Sequence, residues 1–403
     1  MINMTDKKAE QKNWGVSYGQ MVKNEFMKNK LNIISLFFII VLFLLAIFAP
    51  FIANDKPYVI RIEGKLSFPL FSSLTANDYV ILLAACIGLC QLLLMRRNQR
   101  TIEPTMRGHV LRRQLSINAA IFIICSVMLY IFIPSKLDAT DYKGMISSNR
   151  ASDAVFAPIP YGYARTDLRK REQPPSREHW LGTDDVGSDV LCRLIYGSRI
   201  SLSVGFVAVG ISSLIGIIIG AVLGYFGGKV DFIGMRFIEI MMAIPVFFLI
   251  ITIVAYWERS LFNIMVIIGL TTWTGDARFI RAEFFKLRNQ DFIQAAVSLG
   301  LPIRSILFRH MLPNGIAPVL VNATFGVAGA IFIEAALSFL GFGVAPPTPS
   351  WGQMLSLGVS TTGRFLWWLT LFPGLAIFVT VLAYNLVGEG LRDAVDPRLR
   401  KAA

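Results

Sequence analysis

The chain has 403 residues, of which 54% are hydrophobic and only 16% are charged, and its formal net charge is +13. This composition departs from that of soluble globular proteins toward the membrane class. It argues against nucleic-acid binding, because the basic residues lie between apolar runs and form no basic face interleaved with aromatic residues. The four cysteines lack the spacing of a zinc site and do not suggest a disulfide framework.

Eight apolar segments approach about 20 residues, the length that crosses a bilayer as a helix. They predict an all-α, polytopic integral membrane protein with about eight transmembrane helices. The first segment follows about thirty polar residues and is too long for a signal peptide, so we interpret it as a membrane anchor. The segments are Ile33 to Phe51, Tyr79 to Met95, Leu115 to Ile133, Ser201 to Phe226, Phe232 to Tyr256, Leu261 to about Thr274, Ile316 to Phe342 and Phe365 to Val387.

Lysine and arginine residues are distributed unevenly among the loops, and this distribution predicts the orientation of the chain. Six lie in the N-terminal tail, six in 96–114 and six in 275–315, whereas 257–260 and 343–364 carry one each. The rich loops and both termini are therefore expected in the cytoplasm. The polar segment 135–199 is too long for the rule to apply and is expected to be extracytoplasmic.

The N-terminal tail, residues 1–30, contains a candidate amphipathic helix. Trp14, Tyr18, Met21 and Phe26 fall roughly on one helical face, with lysines nearby. This pattern is typical of a helix that lies in the membrane surface. A basic tail without a fixed structure is the alternative.

The segment from Ser201 to Phe226 carries a glycine at every fourth position near its end. This spacing forms a groove on one helix face and lets a second helix approach closely. The glycines predict helix packing and carry no information on a substrate. They are Gly216, Gly220, Gly224 and Gly228.

The stretch DFIQAAVSLGLPIRSILFRHMLPN, residues 291–314, separates two apolar segments and predicts two short helices. Asp291 as N-cap and Gln294 at the third helical position form a capping-box pattern. Gly300 ends the first helix as a C-terminal glycine does, and Pro302 prevents its continuation. A helix of about eight residues is about 12 Å long and cannot span a membrane.

One face of the first short helix carries apolar and small side chains at positions i, i+3, i+4 and i+7, namely Phe292, Ala295, Ala296 and Leu299. The second helix, Ile303 to Leu312, carries three residues that can be positively charged and ends before Pro313. These residues are Arg304, Arg309 and His310. The caps indicate an ordered cytoplasmic element suited to docking a soluble protein, and a solvated loop is the alternative.

Polar and ionisable residues inside apolar segments are candidate functional sites. Glu334 is suited either to lining a pore or to bonding a neighbouring helix, and Asn322 is suited to a hydrogen bond between helices. The acidic cluster of Asp184, Asp185 and Asp189 lies outside these segments. It lacks the twelve-residue loop of a calcium site, so we expect no metal there.

The order of these motifs resembles that of ABC importer permeases. The segments QAAVSLG and HMLPN resemble the EAA loop of that family, although Gln294 stands where the family has Glu and His310 where it has Ile. Five further segments are similar to the C-type permease of the oligopeptide, dipeptide and nickel branch, with Ser188 where Arg is usual. The resemblance covers about residues 31–51 and 179–400. The five segments are HWLGTDDVGSDVLCRLIYGSRISL, GYFGGKVD, EAALSFLGFG, PPTPSWGQML and LVGEGLRDAVDPRLR.

This resemblance implies a six-helix permease formed by residues 31–51 and a core at 200–389, with the EAA loop at 291–314. Residues 52–134 are then an insertion with two extra transmembrane helices. Because it adds an even number of spans, it leaves the downstream orientation unchanged. The tail 390–403 is expected in the cytoplasm.

The resemblance also implies the partners. A second, B-type permease is expected to complete the pore in the lipid of the bacterial cytoplasmic membrane, with two cytoplasmic ABC ATPases and an extracytoplasmic peptide-binding protein. The chain itself is expected to be non-catalytic and to bind no cofactor, since it has no Gly-x4-Gly-Lys-Ser/Thr motif and the ATPases use the ATP. The residues expected to couple to the ATPases are Asp291, Gln294, Ala295, Ala296, Gly300, Arg304, Arg309, His310, Leu312 and Pro313.

We therefore expect a permease for oligopeptides or dipeptides, and nickel or another small solute is the alternative within the family. An ion-coupled secondary transporter is the alternative class, but the sequence shows neither inverted repeats nor paired buried carboxylates. A structural membrane subunit without a pore is a further alternative. The candidates for lining the pore or for helix packing are Glu334, Asn322, Gly216, Gly220 and Gly224.

Overall fold

The computed structural model describes residues 18–101, 104–133, 140–148, 151–360 and 365–395. Trp14 of the predicted surface helix and the part of the C-terminal tail beyond Val395 lie outside these described residues. So do parts of the predicted extracytoplasmic segment. The chain forms two compact units: one is Phe43–Tyr196, and the other combines Met1–Leu42 with Gly197–Ala403.

Helices make up most of the described chain, which confirms the all-α class. They are α1 Tyr18–Phe26, α2 Lys30–Ile52, α3 Pro69–Ser72, α4 Ala76–Thr101, α5 Pro104–Phe132, α6 Tyr142–Ser147, α7 Val190–Phe226, α8 Gly228–Ala243, α9 Val246–Tyr256, α10 Leu261–Thr272, α11 Thr274–Leu287, α12 Asp291–Ser298, α13 Ile303–Ser305, α14 Leu312–Gly315, α15 Ala317–Phe339, α16 Trp351–Ser360 and α17 Trp367–Val395. A 3-10 turn at Leu168–Lys170 and a π-helical segment at Ile306–Met311 complete the set.

Membrane-spanning length is reached by six of the described helices, namely α2, α4, α5, α7, α15 and α17. The pair α8 and α9 provides a seventh candidate span with a bend of 76° between the two helices. Ile244 has an extended backbone at this bend because it precedes Pro245, and a residue before proline avoids the helical conformation. The sixth predicted span, from Leu261, is the shorter apolar helix α10. It is followed almost at once by α11.

A small antiparallel sheet in the unit Phe43–Tyr196 is a feature that the sequence did not predict. Its strands are β1 Val59–Ile62, β2 Lys65–Ser67 and β3 Ala151–Val155, in the order β2-β1-β3. Glu63 and Gly64 form the two-residue turn between β1 and β2, and both have positive φ angles. A turn of this kind matches the twist of a hairpin, which explains why so short a pair of strands forms.

Helices α4 and α5 form an antiparallel hairpin and correspond to the two spans predicted within 52–134. Polar side chains form hydrogen bonds between the two helices at two positions along the hairpin. Asn98 donates to Gln114 at 3.0 Å, and Asn118 donates to Gln91 at 2.7 Å. Such bonds between helices are favourable where no water is available.

Two carboxylates of the acidic cluster near residue 184 contact basic side chains within the unit Phe43–Tyr196. Asp184 accepts a 2.8 Å bond from Arg193, and Asp189 lies 2.8 Å from Nδ1 of His179. Burial raises the pKa of Asp184, and the charge of Arg193 opposes this shift. These contacts connect the residues that precede the long helix α7 to one another and to its first turn.

In the unit that contains Gly197–Ala403, helices α7, α9, α10 and α15 share an apolar core that includes Val204, Ile250, Ile264 and Leu337. Helix α15 packs along α17, and α16 packs against both. The N-terminal helix α1 also packs on α17, with Phe26 buried. A helix is therefore present from Tyr18 onward and packs on another helix of the chain, while its predicted place in the membrane surface stays a prediction.

Candidate functional site in the loop 288–316

Helix α11 leads into the loop, and it lies in the glycine groove of α7. A Cβ atom added at Gly216 would lie 2.5 Å from the Cβ atom of Asp276. One added at Gly220 would lie 2.4 Å from the carbonyl oxygen of Ala277, and one at Gly224 would lie 2.6 Å from a side chain of the same helix. The two backbones approach this closely only because these positions of α7 are glycine. Gly228 contributes nothing to the contact, since a Cβ atom there would meet open space.

The end of α7 and the first turn of α8 also hold α11. Arg281 makes two hydrogen bonds to the carboxylate of Asp231, one of them 2.7 Å long, and two-pronged contacts of this kind fix geometry as well as charge. Arg288 donates to the carbonyl oxygen of Tyr225 at 3.3 Å. Both guanidinium groups lie 4.9 Å from the ring centre of Phe285. Helix α11 is therefore fixed along its whole length.

The start of α12 differs from the predicted capping box. Gln290 is the N-cap residue, and Asp291 is the first helical residue, with no side-chain cap. The reason is the short turn after α11, in which the amide of Gln290 bonds to Leu287 at 3.0 Å. The side-chain amide of Gln294 instead donates a 2.8 Å hydrogen bond to the carbonyl oxygen of Arg288. It thereby satisfies an acceptor at the end of α11.

The end of α12 has the predicted glycine stop. Gly300 has φ +69°, and two backbone bonds close the turn. The amide of Gly300 bonds to Val297 at 2.9 Å, and the amide of Leu301 bonds to Ala296 at 3.2 Å. This is the Schellman arrangement, and it fixes the direction in which the chain leaves the helix.

The single apolar face predicted for α12 is divided in the structure between a buried side and an exposed side. Ile293 and Ala296 are buried against Phe284 of α11 and Met311 of the π-helical segment. The other small and apolar side chains are exposed, and the most exposed is Leu299 at 79%. The predicted face is thus divided, because Ala296 packs inward while its three neighbours point outward. The exposed residues are Phe292, Ala295, Val297 and Leu299.

The second predicted helix, Ile303 to Leu312, is present, but it contains a π-helical segment at Ile306–Met311. Pro313 has no N–H group that could bond to the carbonyl oxygen of Arg309, and its ring would clash with that carbonyl group in an α-helix, which explains the wider turn.

The predicted coupling residues of this helix differ in exposure. Exposed are Arg304, Arg309 and Pro313, whereas His310 is half-buried and Leu312 packs beneath the loop. Buried Ile306, Leu307 and Met311 hold this segment against α12.

The remaining candidate residues lie on α15. Glu334 is fully buried, and its carboxylate accepts a 2.6 Å bond from Ser338 one turn further along the same helix. Asn322 reaches another helix and donates a 2.6 Å hydrogen bond to Asp276 of α11. Ser213 of α7 donates to the same carboxylate at 2.7 Å.

Asp276 is a residue that the sequence analysis missed, because the sixth span was ended at Thr274 and the next residues were assigned to a loop. The signal that could have revealed it is the helical spacing of the apolar residues that follow it. Asp276 is followed by buried Ile280, Phe284 and Leu287, which share its face of α11. The carboxylate is therefore carried on the buried side of a helix and is itself 4% exposed.

A groove of about 290 Å³ lies between α7, α15 and α17. It is almost entirely apolar, and Phe206 and Leu320 lie along it with Tyr384. Ser213 lines the groove and also bonds to Asp276. The hydroxyl of Tyr384 is buried without a hydrogen-bond partner among the described residues.

Two family models match the chain. Residues 216–401 match the family of the binding-protein-dependent transport system inner membrane component. Residues 17–68 match the N-terminal transmembrane domain of oligopeptide transport permease C. The first match includes α11, the loop 288–316 and the parts of α15 and α17 that line the groove.

Curated relatives extend these matches. The oligopeptide transport system permease protein OppC of Bacillus subtilis is 41% identical over 250 residues, which are 62% of this chain and 82% of that protein. The dipeptide transport system permease protein DppC of Alkalihalophilus pseudofirmus is 42% identical over 252 residues, 61% of this chain and 82% of that protein. The inner membrane ABC transporter permease protein YejE of Escherichia coli is 34% identical over 372 residues, 92% of this chain and 95% of that protein. The chain therefore belongs to the family of inner membrane permeases of binding-protein-dependent ABC transport systems.

Proposed function

We propose that this chain is a permease subunit of a peptide ABC importer, which forms half of the pore with a second permease and binds no cofactor. In this proposal the loop 288–316 and both termini are cytoplasmic, in line with the distribution of lysine and arginine. The loop contacts one of two ATPase partners, which use ATP, and an extracytoplasmic binding protein delivers the peptide. The names of the relatives OppC and DppC support a peptide as substrate.

The observation that carries the proposal is the exposed apolar face of α12 on a rigid base. Phe292 and Leu299 are exposed although the helix is fixed by Ile293 and Ala296 beneath it. Apolar residues that are exposed on an ordered helix indicate an interaction surface, and they argue against a merely solvated loop. A soluble ATPase that binds this face would push on α11, since α12 and α11 share one apolar core.

Site-specific cross-linking in the assembled importer tests this contact. Three native cysteines, Cys86, Cys90 and Cys125, are first replaced by alanine, while buried Cys192 is kept. Phe292→Cys is then expected to cross-link to an ATPase subunit. The matched control is Leu66→Cys in β2, which is similarly exposed and is expected to give no such product. An assembled complex in which Phe292→Cys and Leu299→Cys both fail to cross-link would refute the docking role.

Uptake in cells that lack the native gene tests the substrate class. The proposal expects labelled di- or oligopeptides to accumulate when the chain is restored together with its partner genes. Uptake of nickel and none of the peptides would instead favour the small-solute alternative.

A further inference from the structure

The carboxylate of Asp276 joins three helices at one point. Its Oδ2 atom accepts a 2.7 Å hydrogen bond from Ser213 of α7, with Ser212 at 3.5 Å, and its Oδ1 atom accepts a 2.6 Å bond from Asn322 of α15. Hydrogen bonds to an ionised acceptor are stronger than neutral ones. In a water-poor helix bundle, loss of such an acceptor leaves the donors unsatisfied.

Neutral donors alone hold this carboxylate among the described residues, and no ion pair with Asp276 is present there. A carboxylate used only to fix a protein fold is usually paired with a cation when it is buried. Asp276 is therefore better suited to a contact whose geometry matters than to one that simply adds stability.

Helix α11 connects this point to the loop 288–316. Phe284 and Leu287 at the far end of α11 pack against Ile293 and Ala296 of α12. At the near end, Ser213 bonds to Asp276 and also lines the apolar groove between α7, α15 and α17. One helix therefore connects the residues that contact α12 with a side chain that bonds to the wall of the groove.

We propose that Asp276 is a positioning residue for transport, which makes α7 and α15 follow α11 when the loop 288–316 moves. The inference rests on the proposed function, because the loop is taken to be where the ATPase acts. Asp276 touches neither ATP nor the peptide in this account. Its role is to keep the groove wall and the loop moving together.

Charge exchange between Asp276 and Asn322 provides the test. Asn322→Asp places a second carboxyl group within hydrogen-bond distance of the first and removes the amide donor, so the pair either repels as two carboxylates or must take up a proton. Adding Asp276→Asn restores one amide and one carboxylate with their places exchanged, and Ser213 can still donate to the new amide oxygen. Asp276→Ala removes the acceptor altogether.

A buried polar residue that joins no helices is the matched control. Among the described residues, the hydroxyl of Thr271 bonds to carbonyl oxygens of its own helix α10 alone, and the residue is 4% exposed. Thr271→Val should therefore retain wild-type uptake. All variants are compared in the full importer, reconstituted with its ATPases and binding protein, and uptake is expressed per assembled complex.

The expected result is uptake that falls about tenfold in Asn322→Asp and in Asp276→Ala, while basal ATP hydrolysis persists. The double variant should recover most of the lost uptake. Uptake in the double variant as low as in Asn322→Asp, wild-type uptake in Asp276→Ala, or a parallel loss of basal ATP hydrolysis would each overturn the inference. ATP-driven peptide uptake by the unmodified complex is measured first, and its absence would refute the proposed function instead.

Discussion

The side-chain amide of Gln294 shows how one residue that departs from the family pattern fits its surroundings. Its N–H group donates to the carbonyl oxygen of Arg288 at 2.8 Å. An ionised glutamate, the residue that the family pattern has here, possesses only acceptors and could not make this bond. The departure is thus matched to the short turn between α11 and α12, where a carbonyl at the end of α11 requires a donor.

Gly300 supports a prediction at the same scale. Its φ of +69° is costly for residues with a Cβ atom, by about 1–2 kcal/mol, although open space surrounds the position. Gly300→Ala should loosen the end of α12. Hydrogen exchange of the backbone amides at positions 300 and 301 should then be faster than in the wild type. Gly300→Asn is the control, because asparagine tolerates this conformation better, and its exchange should change less. Equal exchange in the wild type and in Gly300→Ala would contradict the assignment.

At the scale of elements, the glycine groove determines where α11 can lie. The glycines of α7 remove the side chains that would otherwise separate the two helices, and Asp231 and Arg288 add polar contacts at the other end of α11. Helix α11 therefore connects the loop 288–316 to the apolar core in a fixed position. That it transmits movement from the loop is part of the proposed function.

Enlarging one glycine should separate this helix pair. Gly220→Ala would bring a methyl group within 2.4 Å of a backbone oxygen of α11, and overpacking of this kind costs about 1–3 kcal/mol. Thermal unfolding of the purified complex should shift to lower temperature. Gly329→Ala on α15 is the control, since no atom lies within 4 Å of its added Cβ, and its stability should be unchanged or higher. Equal destabilisation by both variants would argue against the groove.

Most spans could be predicted from the sequence because long apolar runs and glycine or proline signals are local properties. The bend at Pro245 and the division of the α12 faces required knowledge of what packs against each segment. The same holds for the Asn322 contact: the residue was suited to a bond between helices, but its partner Asp276 had been placed in a loop. The cap at Gln290 was missed because the end of α11 determines where α12 begins.

At the scale of the whole molecule, the segment 52–134, predicted to be an insertion, contains two helices of membrane-spanning length, α4 and α5. The relatives OppC and DppC align with about three fifths of the chain, whereas the YejE alignment leaves out fewer residues than 52–134 contains. At least part of the segment 52–134 is therefore aligned with YejE. Its internal amide pairs join α4 to α5.

Peptide uptake by proteoliposomes that hold the complete importer shows whether ATP drives transport through this chain. A labelled peptide and its binding protein are supplied on one side, and ATP, a non-hydrolysable analogue or only a proton or sodium gradient is supplied as the energy source. The account predicts uptake with ATP and none with the analogue or with either gradient alone. Uptake driven by an ion gradient without ATP would contradict it and would indicate a secondary transporter.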